Sequence, residues 1–324
     1  MKTYRIPNTD LDVSRLAYGT WHLGGSWDDT PLSDDIKQRA DELIHAAVDA
    51  GINFIDLADI YVKTKSDEVV GHVLKNDPSL RDKVILQAKT GIILPGDPNP
   101  GDPGRYDFSY ENIVSKLENS LRLLNTDRVE LLLLHRPDAL VEPEEVARAF
   151  DHLQSSGKVR YFGVSNHTPM QMELLRRYID QPLVANQVEL NLLHNDLIFD
   201  GIVANTADHT YTGARGTLDY CRLHDMLVQA WSPVAGGVVF NPGDDAPDNV
   251  KNAAGLIRQM AEKHNTNTGA IVLAWLLRHP APIQPILGTM TPRRIPESAE
   301  ADNVELSRKE WYKLAEVANG AGVP

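Results

Sequence analysis

The run Val-Glu-Leu-Leu-Leu-Leu-His at residues 129–135 decides the fold class, because it is a short apolar strand that ends abruptly in a histidine. Residues 131–134 carry no polar side chain, which is typical of a parallel strand with both faces buried. Amphipathic segments at 109–124 and 142–156 lie on either side and have the length of helices. A helix, a buried strand and a second helix in succession predict an α/β fold.

Seven other apolar runs of this kind are spread along the 324 residues, which gives eight predicted strands. Helical segments alternate with them over the whole length, and this favours a closed (β/α)8 TIM barrel over an open sheet. The predicted strands are residues 16–18, 53–55, 84–88, 129–134, 159–164, 183–186, 227–230 and 283–287. The predicted helices include 33–50, 109–124, 142–156, 168–178, 217–224, 249–264 and 291–302.

The ends of the chain and its long loops complete the predicted architecture. Residues 3–13 precede the first barrel strand and predict a β-hairpin across the barrel floor, and residues 308–318 predict an extra C-terminal helix. No domain linker stands out, so residues 1–324 are expected to form one barrel domain. Long loops, which often act as lids or binding loops, are expected at 92–107, 202–215 and 241–249.

Composition and charge exclude several classes of protein. The net charge of −13 argues against a nucleic-acid partner. No apolar run approaches the roughly 20 residues of a membrane span, and the polar residues 1–10 contain no secretory signal. The single cysteine, Cys221, rules out an internal disulfide and fits a reducing cytoplasm. A cytoplasmic protein with no membrane or nucleic-acid partner is predicted, and its oligomeric state is left open.

Polar side chains follow directly after the predicted strands. In a barrel of parallel strands these positions converge on the rim at the carboxyl ends, where barrel enzymes place their chemistry. A single carboxylate or lysine there is usually a solvated loop residue, but successive strands ending in Asp, Lys and His are not what barrel stability requires. The residues concerned are Asp56, Lys89, His135, Ser165, Asn166, Gln187, Trp231, Gly288 and Thr289.

The first three of these residues suit proton transfer to an oxyanion. Asp56 and Lys89 at neighbouring strand ends are expected to form a buried ion pair, and Tyr61 lies five residues past Asp56. A phenol has a pKa of about 10, and a nearby ammonium lowers that pKa. His135 is placed to hydrogen-bond a substrate oxygen. The set predicts general acid catalysis by Tyr61, and neither Cys221 nor a Gly-x-Ser-x-Gly elbow offers an activated nucleophile.

The motif Gly-Ile-Asn-Phe-Ile-Asp-Leu-Ala-Asp-Ile-Tyr at residues 51–61 resembles the signature of the aldo-keto reductase superfamily. Lys89, His135 and the run Gly-Lys-Val-Arg-Tyr-Phe-Gly-Val-Ser-Asn at 157–166 continue the match in the order of that family. The similarity extends from about residue 19 to residue 289. It is closest in style to the bacterial branch of general oxidoreductases whose seventh strand ends in a tryptophan.

The resemblance implies a role for each catalytic residue in reducing a small aldehyde or ketone. Tyr61 would donate the proton to the carbonyl oxygen, and Lys89, paired with Asp56, would lower the pKa of Tyr61. His135 would orient the carbonyl. Trp21 stands where the family often lines the substrate pocket, although packing in the core is the plain alternative for a tryptophan.

The resemblance also implies a nicotinamide dinucleotide as cofactor. Ser165, Asn166 and Gln187 would hold its carboxamide, and Trp231, where many members have tyrosine, would stack on the ring. Arg294 matches a family arginine that binds the 2′-phosphate, but Thr291 stands where a lysine is common. NADPH is therefore expected, with NADH possible. No Gly-x-Gly-x-x-Gly is present, so a Rossmann-type dinucleotide site is not supported. The resemblance implies further cofactor contacts from Ser232, Pro233, Gly288, Thr289, Glu297 and Ser298.

Two other functions and a metal site were weighed against this interpretation. Some members of the superfamily act as cofactor-sensing regulatory subunits with little turnover, but the presence of all four catalytic residue types disfavours that role. A Schiff-base aldolase using Lys89 would not explain why Tyr61 and Trp231 are present at the same rim. No metal is expected, because the spacing of His167, His194, His209 and His224 is irregular.

Overall fold

Short strands alternate with helices along the chain in a computed structural model that describes residues 1–203 and 215–322. The strands in that part are β1 (Thr3–Arg5), β2 (Asp12–Ser14), β3 (Ala17–Gly19), β4 (Phe54–Asp56), β5 (Ile85–Thr90), β6 (Ile92–Ile93), β7 (Arg105–Tyr106), β8 (Val129–Leu134), β9 (Val159–Ser165), β10 (Leu183–Glu189), β11 (Leu227–Trp231) and β12 (Ile283–Leu287). The α-helices there are α1 (Asp34–Asp49), α2 (Lys65–Asn76), α3 (Tyr110–Leu124), α4 (Pro143–Ser155), α5 (Pro169–Arg176), α6 (Asp196–Val203), α7 (Thr217–Leu223), α8 (Asp248–Lys263), α9 (Thr268–Leu277), α10 (Arg294–Ala299) and α11 (Arg308–Asn319).

Eight parallel strands close into a barrel in the order β3-β4-β5-β8-β9-β10-β11-β12, with β12 pairing back to β3. The predicted (β/α)8 barrel is therefore confirmed. Two strands, at 129–134 and 283–287, have the predicted bounds. The largest difference is β10, which runs three residues past its predicted end at 186.

The all-leucine run in β8 is explained by the two apolar layers that it contacts. Leu131 and Leu133 point into the barrel, whereas Leu132 and Leu134 pack outward against the helices. Successive side chains of a strand point to opposite faces, so a strand buried on both sides needs an apolar residue at each position. This packing stabilises the strand whose end carries His135.

The predicted N-terminal hairpin and C-terminal helix are both present. β1 and β2 pair antiparallel, and Ile6, Leu11 and Val13 pack against the side chains inside the barrel, so the hairpin closes its floor. Helix α11 begins at a capping box formed by Ser307 and Glu310. Within the described residues, no helix is both long and apolar enough to cross a membrane.

Three helices fall outside the predicted set, and the last predicted helix is interrupted. Helix α9 is apolar around its whole circumference, so it lacks the one-sided pattern of a surface helix. Helix α2 does have an apolar face, but its first turn also buries the polar residues Ser66 and Asp67. The third is α6. The predicted helix 291–302 is a turn, then α10, then a 3₁₀ segment, Glu300–Asn303.

The predicted long loops differ from one another in structure. The loop at 92–107 contains β6 and β7, which form a two-stranded antiparallel ribbon. The loop at 241–249 ends where α8 begins at Asp248. Most of the third loop, residues 204–214, lies outside the described residues.

Candidate active site

A cleft of about 1050 Å³ opens at the carboxyl ends of the barrel strands. It exceeds the usual range for small-molecule pockets of about 300–1,000 Å³, as an extended dinucleotide requires. Every residue predicted for the site lines this cleft except Lys89, which is fully buried behind Asp56. The lining includes Trp21, Asp56, Tyr61, His135, Ser165, Asn166, Gln187, Trp231, Ser232, Pro233, Gly288, Thr289, Thr291, Arg294, Glu297 and Ser298.

The predicted ion pair of Asp56 and Lys89 forms the buried base of the site. Lys89 Nζ donates to Asp56 Oδ1 at 2.5 Å and to the carbonyl oxygen of Leu57 at 2.9 Å. The same carboxylate oxygen accepts from Gln87 Nε2 at 2.5 Å and from Gln187 Nε2 at 3.0 Å. Three donors thus hold Asp56 at the end of β4, which offsets the cost of burying its charge.

Tyr61 lies directly above this ion pair, but its acidity differs from the prediction. Lys89 Nζ is 4.9 Å from the centre of the Tyr61 ring. Burial, followed by the charges of Asp56 and Asp59, nevertheless raises the pKa of Tyr61 well above its usual value, and Arg136 acts in the opposite direction. The expected lowering of this pKa by Lys89 is therefore not seen, because burial of the phenol and the carboxylates nearby dominate. Tyr61 is accordingly a protonated phenol at neutral pH.

His135 faces Tyr61 across the cleft as a neutral imidazole. The two ring centres are 5.9 Å apart. Burial, together with the charges of Lys89 and Arg136, holds the pKa of His135 well below its usual value. Its Nδ1 atom is sealed from solvent without a hydrogen-bond partner. Buried donors without a partner are rarer than buried acceptors without one. We therefore take Nδ1 as the unprotonated nitrogen and place the ring proton on Nε2.

The residues predicted to hold a carboxamide are linked to one another. Asn166, which has a left-handed backbone conformation (φ 60°), accepts from Trp231 Nε1 at 3.1 Å and donates to Ser165 Oγ at 2.9 Å. Ser165 in turn donates to the backbone oxygen of Gln187 at 2.9 Å. These bonds fix the indole of Trp231 at the cleft wall, with its edge held and its ring free for stacking.

The far end of the cleft holds an unpaired cation. Arg294 is exposed and makes no ion pair within the described residues. Thr289 Oγ1 accepts from the backbone N–H of Thr291 at 3.2 Å, which shapes the turn before α10. The arrangement leaves the Arg294 guanidinium available to an anionic group of a ligand.

Several residues that line the cleft were not among those predicted from the sequence. Arg136 directly follows His135, lines the cleft and has no hydrogen bond or ion pair in the described chain. Its guanidinium carbon lies 6.0 Å from the ring centre of Trp231. Its position just after the strand was the available signal. The others come from loops and the start of α9: His22, Val234, Gly236, Gly237, Phe240, Asn241, Asn267, Thr268 and Gly269.

Trp21 lies at the mouth of the cleft. Its ring centre is 4.9 Å from that of Tyr61, edge to face, and 4.9 Å from that of Trp27. Trp21 is 42% exposed, which excludes the alternative of a core tryptophan. Among the described residues, no group of three or more His, Cys, Asp or Glu is arranged to hold a metal ion, and His209 lies outside them.

Two carboxyl groups without a cation partner are buried beside the site. Burial raises the pKa of Asp59 to about 7 and that of Asp67 to about 8. Asp59 accepts one hydrogen bond, from Thr90 Oγ1 at 3.2 Å, and both carboxyl oxygens of Asp67 are sealed without a partner. Both groups are thus mainly protonated in the folded protein at pH 6, where an unfolded chain would ionise them.

We expect the contribution of these two groups to stability to fall as the pH rises from about 4 to about 8, because each binds more protons there in the folded state than in the unfolded state. Each group contributes at most about 1.4 kcal/mol per pH unit between its two pKa values. Asp67→Asn should make the difference between the unfolding free energies at about pH 8 and about pH 5 more positive than in the parent, as measured by urea titration at several pH values. The exposed Asp35→Asn is the control, and an equal effect of both changes would contradict the assignment.

A closed parallel barrel with a polar cleft at the carboxyl ends of its strands defines a TIM-barrel enzyme. The sequence model of the aldo/keto reductase family matches residues 15–319, and the chain belongs to this family. It is thus an oxidoreductase of a family that reduces carbonyl compounds.

Relatives and solved structures agree with this assignment. A 6-dehydroglucose reductase of Agrobacterium fabrum is 36% identical, over 98% of this chain and 99% of the relative. The structure of a glycerol dehydrogenase from Gluconobacter oxydans has a TM-score of 0.81 at 27% identity, covering 98% and 94% of the two chains. An aldo/keto reductase from Klebsiella pneumoniae, solved with NADP and acetate, has a TM-score of 0.74 at 25% identity, covering 98% and 95%.

Proposed function

We propose that this protein reduces a small aldehyde or ketone to the alcohol with NADPH, and that Tyr61 is the general acid. The observation that carries the proposal is the placement of Tyr61 and His135 over the buried Lys89–Asp56 pair, at one end of the cleft. The other end of the same cleft presents the unpaired Arg294. The proton donor suits the carbonyl of the substrate, and the anion-binding group suits the phosphate end of the cofactor.

The residues present fit an extended dinucleotide. NADPH, when bound, supplies the hydride. Gln187 Oε1 accepts no hydrogen bond from the described residues and is not among their sealed polar atoms, so it is available to a carboxamide. Trp231 offers an aromatic face in the same part of the cleft, and Arg294 can pair with the 2′-phosphate. Ser165 and Asn166 hold Gln187 and Trp231 in place.

The chain's own groups provide the proton and orient the carbonyl. His135 donates from Nε2 to the carbonyl oxygen, and Tyr61 transfers its hydroxyl proton to that oxygen as the carbon gains the hydride. The product is the neutral alcohol, and the phenolate that remains lies beside the Lys89 ammonium. The raised pKa of Tyr61 keeps its proton in place until an alkoxide, which is more basic than a phenolate, develops next to it.

The cleft favours a polar substrate. Arg136 offers unpaired N–H donors beside His135, and Trp21 offers an apolar wall beside Tyr61. The names of two similar proteins, a 6-dehydroglucose reductase and a glycerol dehydrogenase, concern hydroxylated substrates. We therefore propose a hydroxylated aldehyde or ketone whose hydroxyl oxygens accept hydrogen bonds from Arg136.

The function is tested by following oxidation of NADPH with a panel of aromatic, aliphatic and hydroxylated aldehydes. We expect turnover, with a higher kcat/KM for hydroxylated substrates. Tight NADPH binding without reduction of any member would favour the regulatory cofactor-sensing role. Borohydride trapping of a substrate on Lys89 would favour the aldolase.

Arg294→Ala tests the choice of cofactor. The change removes the cation assigned to the 2′-phosphate, so we expect about tenfold weaker NADPH binding with little change for NADH. Quenching of tryptophan fluorescence measures both affinities. The neighbouring exposed Arg293, which does not line the cleft, is the matched control as Arg293→Ala. Equal losses for the two cofactors would mean that Arg294 does not recognise that phosphate.

A further inference from the structure

A row of glutamines crosses the interior of the barrel beneath the cleft. Gln187 on β10 pairs in register with Gln229 on β11, and Gln229 pairs with Gln284 on β12. All three are at most 2% exposed. Residues in register on adjacent parallel strands project to the same side of the sheet, so these three side chains meet inside the barrel.

The amides form a hydrogen-bonded chain with one direction. Gln187 Nε2 donates to Gln229 Oε1 at 3.2 Å, and Gln229 Nε2 donates to Gln284 Oε1 at 2.9 Å. Gln284 Nε2 then donates to the backbone oxygen of Ser14 at 2.8 Å, at the barrel floor. At the other end, Gln187 Nε2 also donates to Asp56 Oδ1.

The two ends of the chain fix its direction, because each is an acceptor only. The Ser14 carbonyl and the ionised Asp56 carboxylate have no proton to donate. Rotating the Gln187 amide by half a turn would place its oxygen against Asp56 Oδ1 and Gln229 Oε1, so acceptors would face each other with no donor between them. Rotating Gln229 and Gln284 as well would relieve the contact between Gln187 and Gln229, but it would leave the conflict with Asp56 and add another at the Ser14 carbonyl.

We propose that Gln229 and Gln284 are positioning residues, which hold both N–H groups of Gln187 inside the barrel and leave only its oxygen for the cleft. The site would therefore require a hydrogen-bond donor on the ligand group that meets Gln187. This inference rests on the proposed function, in which that group is the carboxamide of the cofactor. Gln229 and Gln284 act on the cofactor only through Gln187.

The test compares the binding of NADP⁺ with that of its 3-acetylpyridine analogue, in which a methyl group replaces the amide NH₂. Tryptophan fluorescence of the intact protein measures both affinities. We expect the parent to prefer NADP⁺ about tenfold, the typical effect of one hydrogen bond. Gln229→Met keeps the length of the side chain but releases one N–H of Gln187, and should reduce the preference to about threefold or less.

Two further variants separate positioning from mere stability. Gln229→Glu should retain most of the preference, because a buried protonated carboxyl supplies one donor and one acceptor. Gln181→Met is the matched control: Gln181 is also buried and also donates to a carboxylate, that of Asp151, but lies outside both the row and the cleft, so the preference should stay at the parental value. If Gln229→Met does not fold, Gln284→Met replaces it, with the same direction of effect.

An unchanged preference in the folded Gln229→Met or Gln284→Met variant would overturn the proposal. A fall of the same size in Gln181→Met would also overturn it, since general loosening of the protein would then explain both. Failure of the parent protein to bind NADP⁺ at all would instead contradict the proposed function.

Discussion

Tyr61→Phe is expected to lower kcat for aldehyde reduction by about 10²- to 10⁴-fold, the usual value of general acid catalysis. The change keeps the ring that packs between Trp21 and His135 but removes the proton. The affinity for NADPH should change little, because the residues assigned to the cofactor are untouched. Stopped-flow reduction of a simple aromatic aldehyde measures the rate, and fluorescence measures the binding.

The control for this variant is Tyr161→Phe, which removes a tyrosine hydroxyl that binds Asp10 rather than the cleft. Its kcat should equal that of the parent. If Tyr61→Phe reduced the aldehyde within a few-fold of the parent, another group would be the proton donor. His135 would be the first candidate, but its depressed pKa leaves it neutral and a poor acid at pH 7.

The positions of the site residues could be predicted because barrel topology places every strand end on one rim. Asp56, His135 and Gln187 needed only the end of an apolar run to be located. Arg136, which follows His135 at the same strand end, was missed although its position was a signal, whereas the start of α9 was missed because the first turn of a buried helix carries none. Barrel topology therefore predicts the position of the active-site rim, whereas the loop conformations determine which further residues line the cleft.

Acidity at the site could not be predicted from residue types. The sequence places a lysine near Tyr61, and from this a lowered pKa was expected. The structure adds burial and the charges of Asp56 and Asp59, which together raise that pKa. Asp59 and Asp67 lie within the same segment of sequence, but their enclosure depends on how α2 packs against the barrel. The extent of desolvation depends on the packing of the whole fold, so it cannot be predicted from a local sequence motif.

The glutamine row is another feature that depends on register. A glutamine within an apolar strand, such as Gln229 or Gln284, looks like an isolated exception in the sequence. Only the pairing of β10, β11 and β12 places the three amides side by side. Each would be costly to bury alone, and each is satisfied because the neighbouring strand supplies its partner.

Lys89→Met should also remove most of the activity, with kcat lower by about 10²-fold or more. The ammonium neutralises Asp56, a carboxylate that raises the pKa of Tyr61. Without the ammonium, the phenolate of Tyr61 loses the cation beside it and is disfavoured further by the charge of Asp56, so proton transfer from Tyr61 becomes harder. Stopped-flow reduction of the same aldehyde measures the loss.

Stability must be separated from catalysis in this variant, because it leaves a buried carboxylate without its cation. Removing one partner of a buried ion pair typically costs about 3–5 kcal/mol. Adding Asp56→Asn removes the unpaired charge, so the double variant Lys89→Met/Asp56→Asn should recover part of the unfolding free energy, measured by urea titration. It should recover kcat only in part, because no cation is left beside the phenolate of Tyr61. Recovery of kcat to within a few-fold of the parent would show that Lys89 serves the fold and not the proton transfer.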